Sequence, residues 1–111
     1  TGGDGVYAFT TVQPAPYSVP YDGPVGDLLR AGGRHAWRPA HFHFIVGAPG
    51  FRPLTTEVFF SGDPYLDSDA IFGVRESLVV TVASSTDASL AKRYKLAAPF
   101  LNVAFDFRLS R

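Results

Sequence analysis

The chain is short and its charges balance. Its 111 residues fit one domain and are too few for two hydrophobic cores. The ten Lys and Arg residues are equal in number to the ten Asp and Glu residues. This balance excludes a strongly basic surface of the kind that attracts nucleic acid or an anionic membrane. The absence of cysteine excludes a disulfide framework, a thiolate metal site and a cysteine nucleophile, so any metal must be held by nitrogen and oxygen ligands.

The first third of the chain predicts a strand, a proline-rich loop and one short helix. Residues 6–12 are rich in β-branched and aromatic residues and follow a glycine-rich turn, which is typical of a strand. The prolines of residues 13–23 disfavour a helix or an inner strand, so Tyr17 is expected on an ordered, irregular loop. Residues 24–31 predict two helical turns that end at the following glycine pair.

The rest of the chain predicts mainly strands. Four segments alternate or run apolar at strand length, between turns that contain Gly and Pro: residues 40–46, 54–60, 77–82 and 101–109. Residues 86–95 are weakly helical or loop. Several short strands with almost no helix indicate an all-β fold, an antiparallel sandwich or barrel.

Two histidines stand two residues apart in one predicted strand. Because side chains at i and i+2 of a strand share a face, His41 and His43 point the same way and Phe42 points the other way. Such a pair can chelate a metal, although surface or hydrogen-bonded histidines show the same spacing.

Several further motifs occur around this pair in a definite order. They are Tyr17–Pro20, Asp22–Gly26, Gly33–His35, Arg38–His43, Gly62–Asp69, Phe72–Val74 and Phe105–Phe107. Together they resemble the successive motifs of the intradiol ring-cleavage dioxygenases, over nearly the whole chain. The resemblance implies an antiparallel β-sandwich with one short helix, as one catalytic domain over residues 1–111.

The resemblance also implies a metal and a reaction. In that family Fe(III) is bound by two tyrosinates and two histidines, of which Tyr17, His41 and His43 match three. Phenolate oxygen stabilises the ferric state and imidazole suits iron, so this donor set favours iron over zinc. The implied substrates are a small aromatic diol of the catechol type and O2, and the ring opens between the two hydroxylated carbons without an organic cofactor. Tyr17 would serve first as ligand and then as base.

Four other residues receive roles from the same resemblance. Arg38 matches a residue beside the iron and would stabilise negative charge on the substrate, whereas its structural interpretation is a surface salt bridge. Glu57 is assigned to the catalytic set, although many relatives carry glutamine there; it would change the handling of protons or pair with Arg38. Val19 and Pro20 are expected to line the ring pocket together with Arg38.

Other residues are interpreted as structural. His35 is expected to order a loop, because it cannot share the spacing of the histidine pair. Trp37 is expected in the core. Asp63, Asp67 and Asp69 lack the offsets of a calcium loop and are interpreted as turn and solvated loop.

One ligand of the implied set has no match. The first tyrosinate of the family lies upstream of residues 6–12, and Tyr7, Tyr21, Tyr65 and Tyr94 do not correspond to it. The helical region that gives relatives their dimer contacts is also unmatched, and the chain contains no Met. We therefore expect an N-terminally truncated fragment of a longer enzyme, a homodimer when complete, with much reduced activity as an isolated chain.

The sequence leaves more than one substrate and more than one class of protein open. The motifs favour hydroxyquinol, ahead of chlorocatechol or catechol. A different class is a non-enzymatic β-sandwich module whose histidines bind zinc or nothing. A third interpretation is a cupin-like iron(II) oxygenase with Glu57 as the carboxylate ligand. The absence of a membrane-spanning run and of a signal-peptide pattern predicts a cytoplasmic protein.

Overall fold

The computed structural model describes all residues, 1–111, and its regular elements are mainly short strands. In chain order the elements are β1 (Tyr17–Ser18), α1 (Pro24–Ala31), β2 (Trp37–Arg38), β3 (His41–Val46), β4 (Leu54–Phe60), a 3-10 turn (Glu76–Leu78), β5 (Val79–Val80), β6 (Ala83–Ser85), α2 (Ala88–Tyr94) and β7 (Phe100–Asn102). The single helix of the sequence prediction is therefore corrected to two. Neither helix has the length and apolar character needed to cross a membrane.

The strands form three small sheets. Antiparallel pairs join β1 to β2, β3 to β4 and β6 to β7, and β5 runs parallel to β4. The expectation of purely antiparallel pairing is wrong for β5, because the chain crosses over between residues 61 and 78 and returns in the direction of β4. The strand-dominated class is confirmed, and the sandwich arrangement stays a prediction.

Hydrogen-bonded neighbours decide which predicted strands form. The two segments with clear apolar patterns became β3 and β4, which pair over six positions. Residues 6–12 have equal β propensity but form no strand, and residues 101–109 are strand only at their start. Residues 77–82 are reduced to the two-residue β5. The β propensity of a residue reflects how well its side chain packs on a pleated sheet. A segment of high propensity therefore forms no strand when it has no neighbouring strand to hydrogen-bond with.

The helices begin and end where their sequences indicate. Proline occupies the first turn of α1, and the last turn is closed by the backbone N–H groups of Gly32 and Gly33, which donate to the carbonyls of Leu28 and Arg30 respectively. The α2 helix begins after Asp87, whose carboxylate accepts hydrogen bonds from the backbone N–H groups of Ser89 and Leu90. This cap marks the start of a helix in a segment for which the sequence left helix and loop open.

The core lies around β4. Val58, Phe59 and Phe60 are buried, and only 11 of the 111 residues are buried in total. The radius of gyration is 17.2 Å, whereas a compact domain of this length has about 13 Å. The described chain is therefore more open than a typical domain of its size.

The β3 strand separates two surfaces of opposite character. Phe42 and Phe44 face a groove of about 850 Å³, which the segments at both chain ends line with mostly apolar side chains. His41 and His43 alternate with these phenylalanines and occupy the other face. Potential ligands and buried charges gather on that second face.

Candidate metal centre

Two strand pairings bring the predicted site residues together. Tyr17 of β1 lies opposite Arg38 of β2, and His43 of β3 lies opposite Glu57 of β4. Residues directly opposite in an antiparallel pair place their side chains on the same face. The ring centroid of His41 is 5.6 Å from that of Tyr17 and 6.0 Å from that of His43. Tyr17 is thus in a short strand, which corrects the predicted irregular loop.

Hydrogen bonds define the donor atom of His41. Its Nδ1 lies 2.8 Å from the carbonyl oxygen of Pro39, and a carbonyl can only accept, so Nδ1 carries the hydrogen. The other ring nitrogen, Nε2, accepts from Arg38 Nη1 at 3.1 Å. The lone pair of Nε2 is therefore directed at Arg38, and the hydrogen on Nδ1 is the tautomer of a histidine that binds a metal through Nε2.

His43 shares its outer nitrogen with a carboxylate. His43 Nε2 lies 2.8 Å from Glu57 Oε1, and the same oxygen is 3.7 Å from His41 Nε2. The His43 side chain is 62% exposed, whereas those of His41 and Glu57 are largely covered. One ligand atom from each of these three residues lies within 4.8 Å of the other two, which makes the cluster a candidate cation site.

Arg38 is buried between two carboxylates. It is 3% exposed, which corrects its interpretation as part of a surface salt bridge. Its Nη1 and Nη2 donate to Glu57 Oε1 at 3.1 Å and Oε2 at 2.7 Å. Its Nε and Nη2 donate to Asp69 Oδ1 at 3.0 Å and Oδ2 at 3.3 Å. Of the two roles considered for Glu57, pairing with Arg38 is therefore present in the structure.

These pairs shift the pKa of all three groups. Burial alone would lower the pKa of Arg38, but hydrogen bonds with Glu57, Asp69 and Tyr17 hold it above its usual value. The hydrogen bond from Arg38 lowers the pKa of Glu57 in spite of burial. Burial raises the pKa of Asp69, but the bonds from Arg38 and from two backbone N–H groups of its own loop outweigh it. All three groups are ionised at neutral pH.

Asp69 is the site residue that sequence reasoning missed. Its predicted place in a solvated loop is wrong, because it is 3% exposed and accepts hydrogen bonds from Arg38 and from the N–H groups of Ile71 and Gly73. Asp63 of the same acidic run accepts from the N–H of Ala40 at 2.9 Å, which ties this loop to the start of β3. A guanidinium has more donors than one carboxylate can accept, and this signal could have indicated a second acidic partner.

Two of the three residues predicted to line the ring pocket share a depression on the surface. Val19 is half-buried and Pro20 is exposed, and both line a shallow depression of about 580 Å³ next to α1. Arg38 does not line that depression. Val19 and Pro20 thus lie in the depression near Tyr17, whereas Arg38 lies with the histidines.

The aromatic residues after α1 stabilise a loop. His35 Nε2 lies 2.9 Å from Ser68 Oγ, and its Nδ1 accepts from the backbone N–H of Trp37, which confirms a loop-ordering role. Trp37 is 41% exposed and stacks on Tyr65, so its predicted core position is wrong. Tyr7 donates its hydroxyl to the carbonyl of Phe105.

The donor atoms at this face suit iron. Two imidazole nitrogens, a phenol oxygen and a carboxylate form a set of nitrogen and oxygen donors without thiolate, and such sets are typical of non-haem iron. The carbonyl behind His41 supplies the outer hydrogen bond that fixes a ligating imidazole. The residues present therefore fit an iron ion.

Comparisons with known proteins agree with this chemistry. A family model described as Dioxygenase matches residues 1–111. The 6-chlorohydroxyquinol 1,2-dioxygenase of Cupriavidus pinatubonensis is 55% identical over 89 residues, which are 80% of this chain and 32% of that protein. The hydroxyquinol 1,2-dioxygenase of a Rhizobium species is 50% identical over 112 residues, 100% of this chain and 38% of that protein.

A solved structure is similar in both fold and sequence. The hydroxyquinol 1,2-dioxygenase of Pseudomonas putida DLL-E4 superposes with a TM-score of 0.79 and 46% identity, over 88% of this chain and 35% of that one. The chain spans about a third of the length of the relatives that it matches. With a family model over its full length and these identities, the chain belongs to the intradiol ring-cleavage dioxygenases.

Proposed function

We propose that this chain carries the iron-binding face of an enzyme that opens a catechol-type ring with O2. Tyr17, His41 and His43 would hold Fe(III), and the bond between the two hydroxylated carbons would break to give a muconate- or maleylacetate-type product. The observation that supports this most is the meeting of these three side chains on one face, although they come from two different sheets. Their donor atoms suit a ferric ion.

The ferric ion, when bound, supplies the Lewis acidity that allows a catecholate ring to react with dioxygen. Tyr17 has a phenol oxygen that can bind as phenolate, and on release that same oxygen can accept a proton from a substrate hydroxyl group. Its 47% exposure leaves room for this movement. Tyr17 is therefore proposed as both ligand and base.

Arg38 is proposed as the group that stabilises negative charge on the diol. Its guanidinium is held on both edges by Glu57 and Asp69, so its direction is fixed before substrate arrives. A charged donor that does not need to reorganise is most effective where charge develops during a reaction. Glu57 would contribute to catalysis by holding Arg38.

Hydroxyquinol is the proposed substrate. The two hydroxyquinol-type relatives are 55% and 50% identical to the chain, compared with 41% for the catechol 1,2-dioxygenase of Acinetobacter baylyi. A chlorocatechol 1,2-dioxygenase of Rhodococcus opacus, 49% identical over 80 residues, keeps chlorocatechol as an alternative. Val19 and Pro20 follow Tyr17 and would contact the ring.

The longer protein is included in this proposal. The chain would be the truncated catalytic domain of a cytoplasmic enzyme, in which an upstream tyrosine supplies a further ligand and the strands complete a β-sandwich. That enzyme would be a homodimer. The chain covers only about a third of the length of each relative, which supports a longer protein.

A visible spectrum tests the proposed function. The chain is loaded with Fe(III) and measured with and without hydroxyquinol or catechol, together with Tyr17→Phe and the control Tyr21→Phe, which removes an exposed tyrosine. We expect a tyrosinate band that shifts with substrate and is lost only in Tyr17→Phe. Under ¹⁸O2 the ring-opened product should contain both labelled oxygen atoms. A colourless protein would instead indicate either a fragment whose site is incomplete or a non-enzymatic binding module.

A further inference from the structure

One carboxylate oxygen lies between the two imidazole nitrogens of the candidate metal centre. Glu57 Oε1 is 2.8 Å from His43 Nε2 and 3.7 Å from His41 Nε2. When metal–ligand bonds are about 2.1 Å long, neighbouring ligand atoms are about 3.0 Å apart in an octahedron and about 3.4 Å apart in a tetrahedron. The two observed distances bracket these values, so the oxygen lies near the position of a third ligand, and all three ligand atoms lie within 4.8 Å of one another.

Arg38 holds Glu57 in an orientation that favours ligation. Glu57 Oε2 accepts the shorter bond from Arg38, 2.7 Å from Nη2, while Oε1 lies 3.1 Å from Nη1 and points to the histidines. Hydrogen bonds behind a ligating carboxylate orient it in this way. Asp69 also pairs with Arg38, so the arginine keeps a partner if Oε1 turns to a metal.

The charge of the ligand set supports the same conclusion. In the longer enzyme proposed above, Tyr17 and an upstream tyrosine would offer a ferric ion two anionic oxygens, which leaves one of its three positive charges uncompensated. Glu57 would supply a third anionic oxygen from the face that carries both histidines. Two histidines and one carboxylate also bind iron in non-haem Fe(II) oxygenases, so this donor set is compatible with iron.

We infer that Glu57 is a ligand of the metal in this chain, and not only a partner of Arg38. This inference rests on the proposed function, because the metal is the same one. In the metal-free chain the Oε1 atom shares a hydrogen with His43 Nε2; in the loaded chain both atoms would face the cation. When the metal binds, the hydrogen bond between Glu57 and His43 would therefore be replaced by one metal bond to each residue.

The sign of a change in metal affinity separates ligation from competition. Zinc alone is used as the probe, and its Kd is measured by competition with a chromogenic chelator for the wild type and Glu57→Gln. If Glu57 is a ligand, the glutamine variant should bind zinc at least about 10-fold more weakly. If Glu57 only occupies His43 by a hydrogen bond, its removal frees that nitrogen and binding becomes tighter.

Asp69→Asn is the matched control for charge. It removes one negative charge from the same arginine, but from the side away from the histidines, so we expect a change in zinc Kd of less than about 3-fold. Circular dichroism establishes that each variant is folded. Equal weakening by Glu57→Gln and Asp69→Asn would overturn the inference in favour of a general electrostatic effect.

A measurement on the wild type avoids dependence on any variant. The chain contains only two glutamates, Glu57 and Glu76, so ¹³C-glutamate labelling gives two side-chain carboxyl resonances. Zinc should move the Glu57 resonance together with the histidine ring signals and leave that of Glu76 unchanged. Histidine signals that move while the Glu57 resonance stays in place would overturn the inference. The proposed function fails separately, if Fe(III) produces no visible band that depends on Tyr17.

Discussion

Replacing Asp69 by asparagine tests whether the second carboxylate stabilises the buried arginine. Arg38 and Asp69 are both 3% exposed, and two hydrogen bonds of 3.0 and 3.3 Å join them. Removing one partner of a buried ion pair costs about 3–5 kcal/mol when the other charge is left alone. Glu57 still pairs with Arg38, and asparagine keeps one acceptor oxygen, so we expect the free energy of unfolding to fall by about 2–3 kcal/mol.

Urea unfolding of the metal-free chain measures this loss. The fluorescence of Trp37, the single tryptophan, reports on the loop, because its carbonyl accepts from the N–H of Ala70 at 3.1 Å. In a thermal scan the expected loss lowers the midpoint by about 10–20 °C for a chain of this size. Asp27→Asn is the matched control, since it removes an aspartate that pairs with Arg30 at the surface, and should cost less than about 1 kcal/mol.

Equal stability of the two asparagine variants would refute this reasoning. It would mean that Glu57 alone satisfies Arg38 and that the loop holding Asp69 forms without the ion pair. A loss of more than about 3 kcal/mol would indicate instead that the carboxylate chiefly holds its own loop together through the N–H groups of Ile71 and Gly73.

The other predictions concern packing and acid stability. Gly73→Ala should cost about 1–3 kcal/mol in urea unfolding, because a Cβ there would lie 2.9 Å from Arg38 Nη2, whereas Gly47→Ala, with nothing within 4 Å, should cost less than about 0.5. Gly26→Ala should cost about 3 kcal/mol, because its Cβ would overlap the carbonyl of Tyr21; stability equal to that of Gly47→Ala would contradict this. Both carboxylates that pair with Arg38 have lowered pKa values, so their contribution is complete above about pH 5 and is lost as pH falls below about 4. Unfolding measured from pH 7 to pH 3 should show this loss, and a flat profile would contradict it.

The sequence predicted the face of the candidate site because that face depends on local periodicity. The alternation of His and Phe in β3 set which of its side chains share a face, whereas the pairing of β3 with β4 placed Glu57 opposite His43. The start and end of β4 also agreed with the prediction. In these elements each residue's direction follows from its neighbours in the chain.

Features that depend on distant partners were missed. Asp69 reaches Arg38 across 31 positions of sequence, and no local pattern distinguishes a buried aspartate from a solvated one in an acidic turn. Tyr17 belongs to a strand only because β2 lies beside it. Residues 6–12 failed as a strand for the opposite reason, since the described chain gives them no ladder partner.

The arrangement around Arg38 has a net negative charge, and this bears on both proposals. One guanidinium faces two carboxylates, and each carboxylate has a lowered pKa, so the cluster carries one excess negative charge at neutral pH. An uncompensated charge in a covered position is costly, because solvent no longer stabilises it. The nearest ring nitrogens are those of His41 and His43, which form hydrogen bonds with Arg38 and Glu57 in the metal-free chain. A cation bound there would replace these hydrogen bonds and compensate the charge of Glu57, while Asp69 continues to pair with Arg38.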